Sequence, residues 1–324
     1  MKSYFMHASD RAGTLELRDV PIPEPGPRQL LVRMRAASLN RGEFILGHGL
    51  QKGGTSKAIG AEGAGEVVKA GAEATGFEPG QRVMGRCAGA FSEYALMDAR
   101  EAIAVPASLS FEEAASVPLV FLVVHDMLVA QGRLAAGEWV LVTGVSSGVG
   151  VAALQAAKAL GARVIGTSGS REKLERLKAL GLDVAIETRA GDFHDAVMQA
   201  TGGKGVNLVV NTVGGSVFAE CIRAMAFEGR LAMVGYVDDT LKAEIDLQAL
   251  HAKRLTLFGV SNKLRSAEQR AAALPAFIRD FLPRIADGRL RPLIDSVHPF
   301  DQLAAARSRM ESNRHVGKIV LAIP

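Results

Sequence analysis

At 324 residues the chain is long enough for about two domains, and 48% hydrophobic residues with 35 glycines and 12 prolines exclude a disordered or fibrous protein. The charge of +4 and isoelectric point near 9.1 do not indicate nucleic acid, because the cations are scattered among 34 acids and aromatics make up 5%. No run approaches the length of a membrane span, the N-terminus lacks the apolar core of a signal peptide, and Cys87 and Cys221 lie too far apart in sequence to suggest a disulfide framework, so a cytoplasmic protein is expected.

From the N-terminus, Met1–His7 reads as a first strand and Leu15–Val20 alternates as a second. Pro21–Pro27 is a rigid extended loop before a strand over Gln29–Arg35. Gly63–Gly71 gives another strand. Glu78–Met84 is a turn entering a strand, and Ala90–Met97 and Ala102–Val105 are expected as two further strands. Short strands at this spacing predict a compact β-barrel-like domain. From Phe111 to Leu134 the pattern turns helical, and Pro118 predicts one helix ending before it and a second starting after it.

Trp139–Thr143 is an apolar strand feeding the turn Gly144-Val-Ser-Ser-Gly148-Val-Gly150. The helix pattern Val151–Leu160 follows, closed by Gly161, and then the strand Arg163–Thr167. This is a strand–turn–helix–strand unit whose turn lies at a helix N-terminus, where unpaired amides and the positive dipole end attract an anion. Ser146, Ser147, Gly148 and Val149 are therefore expected to hold a dinucleotide pyrophosphate. After the second strand, an NAD site offers an acid to the ribose 2′-hydroxyl. Here the segment reads Ser168-Gly-Ser170-Arg171-Glu-Lys173. Hydroxyls and cations at Ser168, Ser170, Arg171 and Lys173 suit a 2′-phosphate, so NADP(H) is expected over NAD(H).

Strands and helices then alternate. A helix over Lys173–Leu180 is followed by a strand over Asp183–Ile186. Next come a helix over Phe193–Thr201, a strand over Val206–Asn211 and a helix over Phe218–Phe227. Strands over Gly229–Gly235 and Leu255–Phe258 complete six. The fold class is α/β, a Rossmann-type doubly wound parallel sheet. The tail does not continue the alternation: Ala272–Asp287 is helical, Val297–Phe300 extended, Asp301–Glu311 helical and Lys318–Ala322 a strand. It is expected to return to the first domain.

The ordered blocks Ala37–Asn40, Gly60–Gly65, Pro79–Val83, Ala90–Tyr94, Thr143–Gly150, Val213–Gly215 and His315–Lys318 resemble the zinc-free quinone oxidoreductase branch of the medium-chain dehydrogenase/reductase superfamily across nearly the whole chain. The resemblance implies a GroES-like β-barrel catalytic domain over 1–121, an NADP(H)-binding Rossmann domain over 122–258 and a return to the catalytic domain over 259–324. It also implies a substrate site in the cleft between the domains and a homodimer through the Rossmann sheet edge. Val213, Gly235, Tyr236, Phe258, Val260 and Asn262 would approach the nicotinamide half of the cofactor. A short-chain dehydrogenase is excluded, because none of Tyr4, Tyr94 and Tyr236 has Lys four positions on.

Zinc-dependent relatives share the fold but need converging Cys, His or acidic ligands. This chain has Ser38 near the expected Cys, Ala61 at the expected His, and no cysteine cluster, so no metal is expected. Without a Lewis acid the chemistry favours a substrate whose reduced anion is delocalised. The expected activity is hydride transfer from NADPH to a small-molecule quinone or α,β-unsaturated carbonyl, with Asn40 as the catalytic polar group. An enoyl-thioester reductase and a non-catalytic NADPH-binding protein are the alternatives. Two family features are missing: the Tyr beyond Asn40 and the Thr before His125. Water, Arg41 and His125 remain as proton donors, with His125 read foremost as a packed helix residue. His48, His251 and His315 read as loop or surface residues.

Overall fold

The computed structural model describes residues 1–8, 13–44 and 56–324; His48 lies outside them. The chain forms two compact units. One comprises Met1–Leu119, Arg265–Gly288 and Pro292–Pro324; the other comprises Val120–Leu264 and Arg289–Arg291.

The first unit begins with β1 (Lys2–Ala8) and β2 (Gly13–Asp19), followed by β3 (Gln29–Ser38), β4 (Ser56–Ala58), β5 (Glu62–Ala70), β6 (Arg82–Ala88) and β7 (Tyr94–Ala104). β1 pairs antiparallel with both β2 and β4 in a three-stranded sheet. In the larger sheet β3 pairs with β5, β5 with β6, β6 with β7 and β7 again with β3. These four strands close on themselves, which removes their free edges. Leu30, Val32 and Met34 alternate inward from β3 and are fully buried, facing Phe91 and Met97 in one core. Each such side chain contributes roughly 1.5–3 kcal/mol by leaving water.

The two strands expected over Ala90–Met97 and Ala102–Val105 are one. β7 runs unbroken from Tyr94 to Ala104, because its first half pairs with β3 while both halves pair with β6 across a register shift. Asp98 accepts from the Arg100 amide in the middle, so local polarity marks a bend in the strand rather than its end.

Helix α1 (Phe111–Ala115) starts at a capping box in which Ser110 and Glu113 satisfy each other's amides. α2 (Pro118–His125) begins at the proline, whose missing N–H costs nothing in the first turn. It continues into a π-helical turn over Asp126–Ala130. The chain passes from the first unit to the second within α2.

The second unit runs β8 (Trp139–Thr143), α3 (Gly148–Ala159), β9 (Arg163–Ser168), α4 (Arg171–Lys178), β10 (Val184–Glu187), α5 (His194–Ala200), β11 (Val206–Asn211), α6 (Phe218–Ala224), β12 (Met225–Met233), α7 (Leu247–Ala252) and β13 (Thr256–Gly259). Its sheet has the order β10-β9-β8-β11-β12-β13 with every pairing parallel. The order reverses between β8 and β11, the switch point where doubly wound sheets bind ligands. Val140, Leu141 and Val142 are fully buried, as strands covered on both faces require.

The helix expected over Phe218–Phe227 stops at Ala224. Met225 adopts extended angles and pairs with Val206, so β12 claims three residues that carry a helical pattern. The tail helix expected over Ala272–Asp287 is likewise divided. After α8 (Ala267–Ala271), α9 (Leu274–Asp280) and α10 (Leu282–Ala286) each carry a proline in the first turn. Pro283 has no amide to donate and its ring crowds the preceding turn. β14 (Ile294–Pro299), α11 (Leu303–Glu311) and β15 (Lys318–Ala322) follow, and β15 pairs antiparallel with β3. The tail thus completes the sheet of the first unit.

Gly150 allows α3 to sit against its strand. A Cβ there would lie 2.6 Å from the Gly144 carbonyl oxygen and 2.7 Å from Val145 Cα, and backbone does not yield as a flexible side chain does. Gly150→Ala is expected to destabilise the protein by about 1–3 kcal/mol, the usual range for overpacking, measured by urea denaturation.

Candidate active site

The carboxyl ends of β8 and β9 carry the first cluster. Ser147 caps α3, its hydroxyl accepting from the Gly150 amide at 3.0 Å. Gly148 and Val149 occupy the first two helical positions, where amides have no carbonyl behind them within the helix. With the positive dipole end these N–H groups form an anion seat. Ser146 lies beside it, with its Oγ 3.5 Å from Ser168 Oγ at the end of β9. The four residues expected at the pyrophosphate and Ser168 therefore come together.

The residues after β9 divide. Ser170 is the N-cap of α4 and accepts from the Lys173 amide at 3.4 Å. Arg171 reaches away to Glu187, Nε to Oε2 3.2 Å, in an exposed ion pair. Sequence reasoning missed a third cation. A Cβ built on Gly169 would lie 2.4 Å from Arg189 Cγ and 2.5 Å from its Nε, so the Arg189 side chain crosses the glycine directly. Thr188 donates to the Ser168 carbonyl at 3.0 Å, which brings the end of β10 beside β9. Only this parallel pairing puts Arg189 there.

At the ends of β11, β12 and β13 the organiser is Asn211, fully buried. Its Oδ1 accepts from Thr143 Oγ1 at 3.1 Å and from the Val213 and Gly214 amides at 3.0 Å each. Its Nδ2 donates to the Gly214 carbonyl at 2.9 Å. Thr212 Oγ1 donates to the Thr143 carbonyl at 2.7 Å. This latch joins β8 to β11 and sets the Val213 turn. Val234 and Gly235 both donate to the Asn211 carbonyl, and Val260 donates to Met233. Val213, Gly235, Tyr236, Phe258, Val260 and Asn262 thus lie at one end of the sheet. The Val260 side chain is buried in the core, which leaves its backbone as the part that can face a ligand.

The first unit holds the remaining chemistry. Glu62, at the start of β5, is fully buried. Its Oε1 accepts from Ser38 Oγ at 2.6 Å, Asn40 Nδ2 at 2.9 Å and Lys318 Nζ at 3.0 Å, while Oε2 accepts from the Leu119 amide at 2.7 Å. Lys318 Nζ also donates to the Leu39 carbonyl at 3.0 Å and to Asn40 Oδ1 at 2.8 Å. Asn40 Nδ2 gives its other hydrogen to Glu43 Oε1 at 2.8 Å. Both N–H bonds of Asn40 are therefore engaged within the protein. Arg41 turns away to the Met310 carbonyl and Asn313. His125 is buried at the end of α2, His251 is exposed in α7 and His315 is half-buried before β15.

Residues 148–277 match the zinc-binding dehydrogenase family and residues 26–107 match the alcohol dehydrogenase GroES-like domain. The chain is 31% identical to a solved NAD-dependent alcohol dehydrogenase, with 100% of both chains covered and a TM-score of 0.85. It belongs to the medium-chain dehydrogenase/reductase superfamily, in its quinone oxidoreductase-like branch. The quinone oxidoreductase of Pseudomonas syringae pv. Tomato DC3000 is 29% identical over 99% of this chain and 100% of that one, with a TM-score of 0.87. A mycobacterial protein solved with NADPH is 27% identical over 99% of both chains, with a TM-score of 0.88. Among curated proteins, a phenolphthiocerol/phthiocerol polyketide synthase subunit of Mycobacterium tuberculosis is 33% identical over 97% of this chain, which spans 14% of that protein.

Some members of this superfamily hold zinc. Here the donors do not fit it: Ser38 and Lys318 engage Glu62, the Ala61 position offers only its carbonyl to Cys87 N, and among the described residues no group of three or more His, Cys, Asp or Glu converges. A dinucleotide fits the superfamily's usual place, since bare amides, small residues and cations meet at the sheet's carboxyl ends.

Glu43 is the outlier among the carboxyl groups of the first unit. It is buried, and burial pushes its carboxyl up to about 8 from an ordinary 4.5, with the Asn40 hydrogen bond opposing and Glu62 adding to the rise. The folded state therefore holds a proton that the unfolded chain releases between these values. Stability from this group is greatest below about pH 4.5 and falls by about 1.4 kcal/mol per pH unit towards pH 8. Glu43→Gln is expected to remove that slope, seen by comparing denaturation midpoints of the two proteins from pH 5 to about 8. Lys318→Met is expected to cost about 3–5 kcal/mol, because it strands the buried Glu62 carboxylate; denaturant titration checks it.

Proposed function

We propose that the chain is an NADPH-dependent reductase that delivers hydride to a quinone or an α,β-unsaturated carbonyl without a metal. The observation that carries it is the end of β9, where Arg189 crosses Gly169 between Ser168 and Ser170 and the segment from Gly166 to Ser170 has no carboxylate. An NAD site offers an acid there, whereas a 2′-phosphate calls for hydroxyls and cations. The similarity to a mycobacterial protein solved with NADPH and to a quinone oxidoreductase supports this reading.

When bound, NADPH supplies the hydride. The chain's own part is to seat the pyrophosphate on the amides of Gly148 and Val149, with Ser146 beside them. Ser168, Ser170, Lys173 and Arg189 face the adenosine side in this reading, while Arg171 is diverted to Glu187. Backbone at Val213, Gly235, Tyr236, Phe258, Val260 and Asn262 faces the nicotinamide. Asn40 is the polar group we assign to the reaction. With both its hydrogens given to Glu43 and Glu62, it contributes a fixed carbonyl dipole rather than an amide donor. The acceptor is one whose anion needs little stabilisation, because resonance spreads the charge.

A second reading, reduction of an enoyl thioester, is favoured by the 33% identity to a polyketide synthase subunit. The same hydride chemistry serves both. We extend the proposal to a homodimer through β13, which is an edge strand of the parallel sheet, and to the cytoplasm, since both thiols are free and buried.

Loss of NADPH absorbance with 1,4-benzoquinone or a short enone is the expected result. Faster turnover of a crotonyl thioester would favour the second reading, and tight NADPH binding without turnover of any acceptor would leave a binding protein. Lys173→Ala and Arg189→Ala are each expected to raise the Michaelis constant for NADPH about 10-fold or more, the scale of one charge-assisted hydrogen bond, with NADH little affected. Equal effects on the two cofactors would remove these residues from the 2′-phosphate.

A further inference from the structure

The donors around Asn40 can be accounted for one by one. Ser38 gives its hydroxyl hydrogen to Glu62. Lys318 gives its three to Leu39 O, Asn40 Oδ1 and Glu62 Oε1. Asn40 gives its two to Glu43 Oε1 and Glu62 Oε1. Nothing in this set is left for Glu43 Oε2, which is buried with no hydrogen-bond partner among the described residues. The cluster thus has two carboxyl groups bridged by one amide, and the ammonium bonds to one of them.

A bare carboxylate in that place would cost several kcal/mol of desolvation and would repel Glu62. A neutral carboxylic acid has neither penalty: its carbonyl oxygen accepts from Asn40 and its hydroxyl occupies Oε2. The other groups facing Glu43 do not change this. Cys87 is buried and burial raises its thiol, which keeps it neutral. Arg86, on the same strand as Cys87, feels the Glu43 charge only weakly: burial and the neighbouring Arg270 act on it more strongly, and both lower its guanidinium.

We propose that Glu43 is a positioning residue for the reduction, a neutral acid that pins the Asn40 carboxamide and thereby sets the alkaline limit of the reaction. This rests on the reading of Asn40 as the polar group at the reacting centre. With Glu43 neutral, the amide is fixed: Nδ2 towards the two carboxyl groups, Oδ1 towards Lys318. Once Glu43 ionises, two carboxylates share one ammonium and Lys318 is drawn from Asn40 Oδ1 towards the new charge. The direction agrees with the raised carboxyl of Glu43.

The test compares wild type with Glu43→Gln and Glu43→Leu on the full chain, between pH 6 and about 10. Gln keeps an acceptor for Asn40 and a donor at the Oε2 position but does not titrate. Glu43→Gln is expected to keep kcat at pH 7 within about threefold of wild type and to lose the alkaline fall near pH 8. Glu43→Leu is expected to lower kcat at least 10-fold at pH 7 with NADPH affinity unchanged. A Gln variant with the wild-type alkaline fall would overturn the proposal, as would one as slow as the Leu variant, since the proton itself would then be required. An active Leu variant would overturn it too. A second readout does not depend on turnover: infrared difference spectra of wild type against Glu43→Gln should show a protonated carboxyl band that vanishes above about pH 8. If the band behaves so while wild type reduces no acceptor, the reductase reading fails and the neutral acid stands. Absence of the band at pH 7 sinks the neutral acid, whatever the activity.

Discussion

One buried ammonium orders the first unit of this protein. Lys318 arrives on the last strand, 256 positions from Glu62, and its three hydrogens join the end of β3, the Asn40 turn and the start of β5. A charge this deep is stable only when every hydrogen has an acceptor. That demand binds the C-terminal strand to the barrel and holds the Asn40 amide in one orientation. Lys318 bonds Glu62 and not Glu43, and burial then favours the neutral form of the second carboxyl. The same ion pair therefore anchors the fold and sets the protonation state of its neighbour.

The second unit solves a different problem, that of an exposed anion seat that does not collapse. α3 must start close to β8, and Gly150 permits that approach. Ser147 caps one amide and leaves the two before it open. Across the switch point Asn211 and Thr143 hold β8 and β11 together, so the turns on either side cannot drift apart. Rigid strand ends with bare amides are what a pyrophosphate needs, since ordering them at the moment of binding would weaken affinity.

Cofactor preference shows how neighbouring strands alter a local reading. Arg171 looks like a phosphate ligand because it follows the second strand, yet Glu187 on the adjoining strand draws it aside. The same strand then offers Arg189 across Gly169. A cation therefore still stands beside the end of β9, but a different residue brings it.

The parallel sheet, the glycine turn, the helix after Pro118 and the return of the tail to the first unit were all legible in the chain, because apolar periodicity, capping residues and proline act over a few residues. Where long-range pairing competes with local pattern, the local reading failed: Met225–Phe227 left their helix for β12, whose first residue pairs with Val206, and Asp98–Arg100 stayed within β7. The serine-capped turn before α3 was legible too, being one turn and one helix. The Asn40–Glu43–Glu62–Lys318 cluster was not, although each residue is plain in the sequence. Its members come from three separate segments, and the cost of burying a charge depends on which partners the fold brings within about 3 Å, which no local spacing encodes.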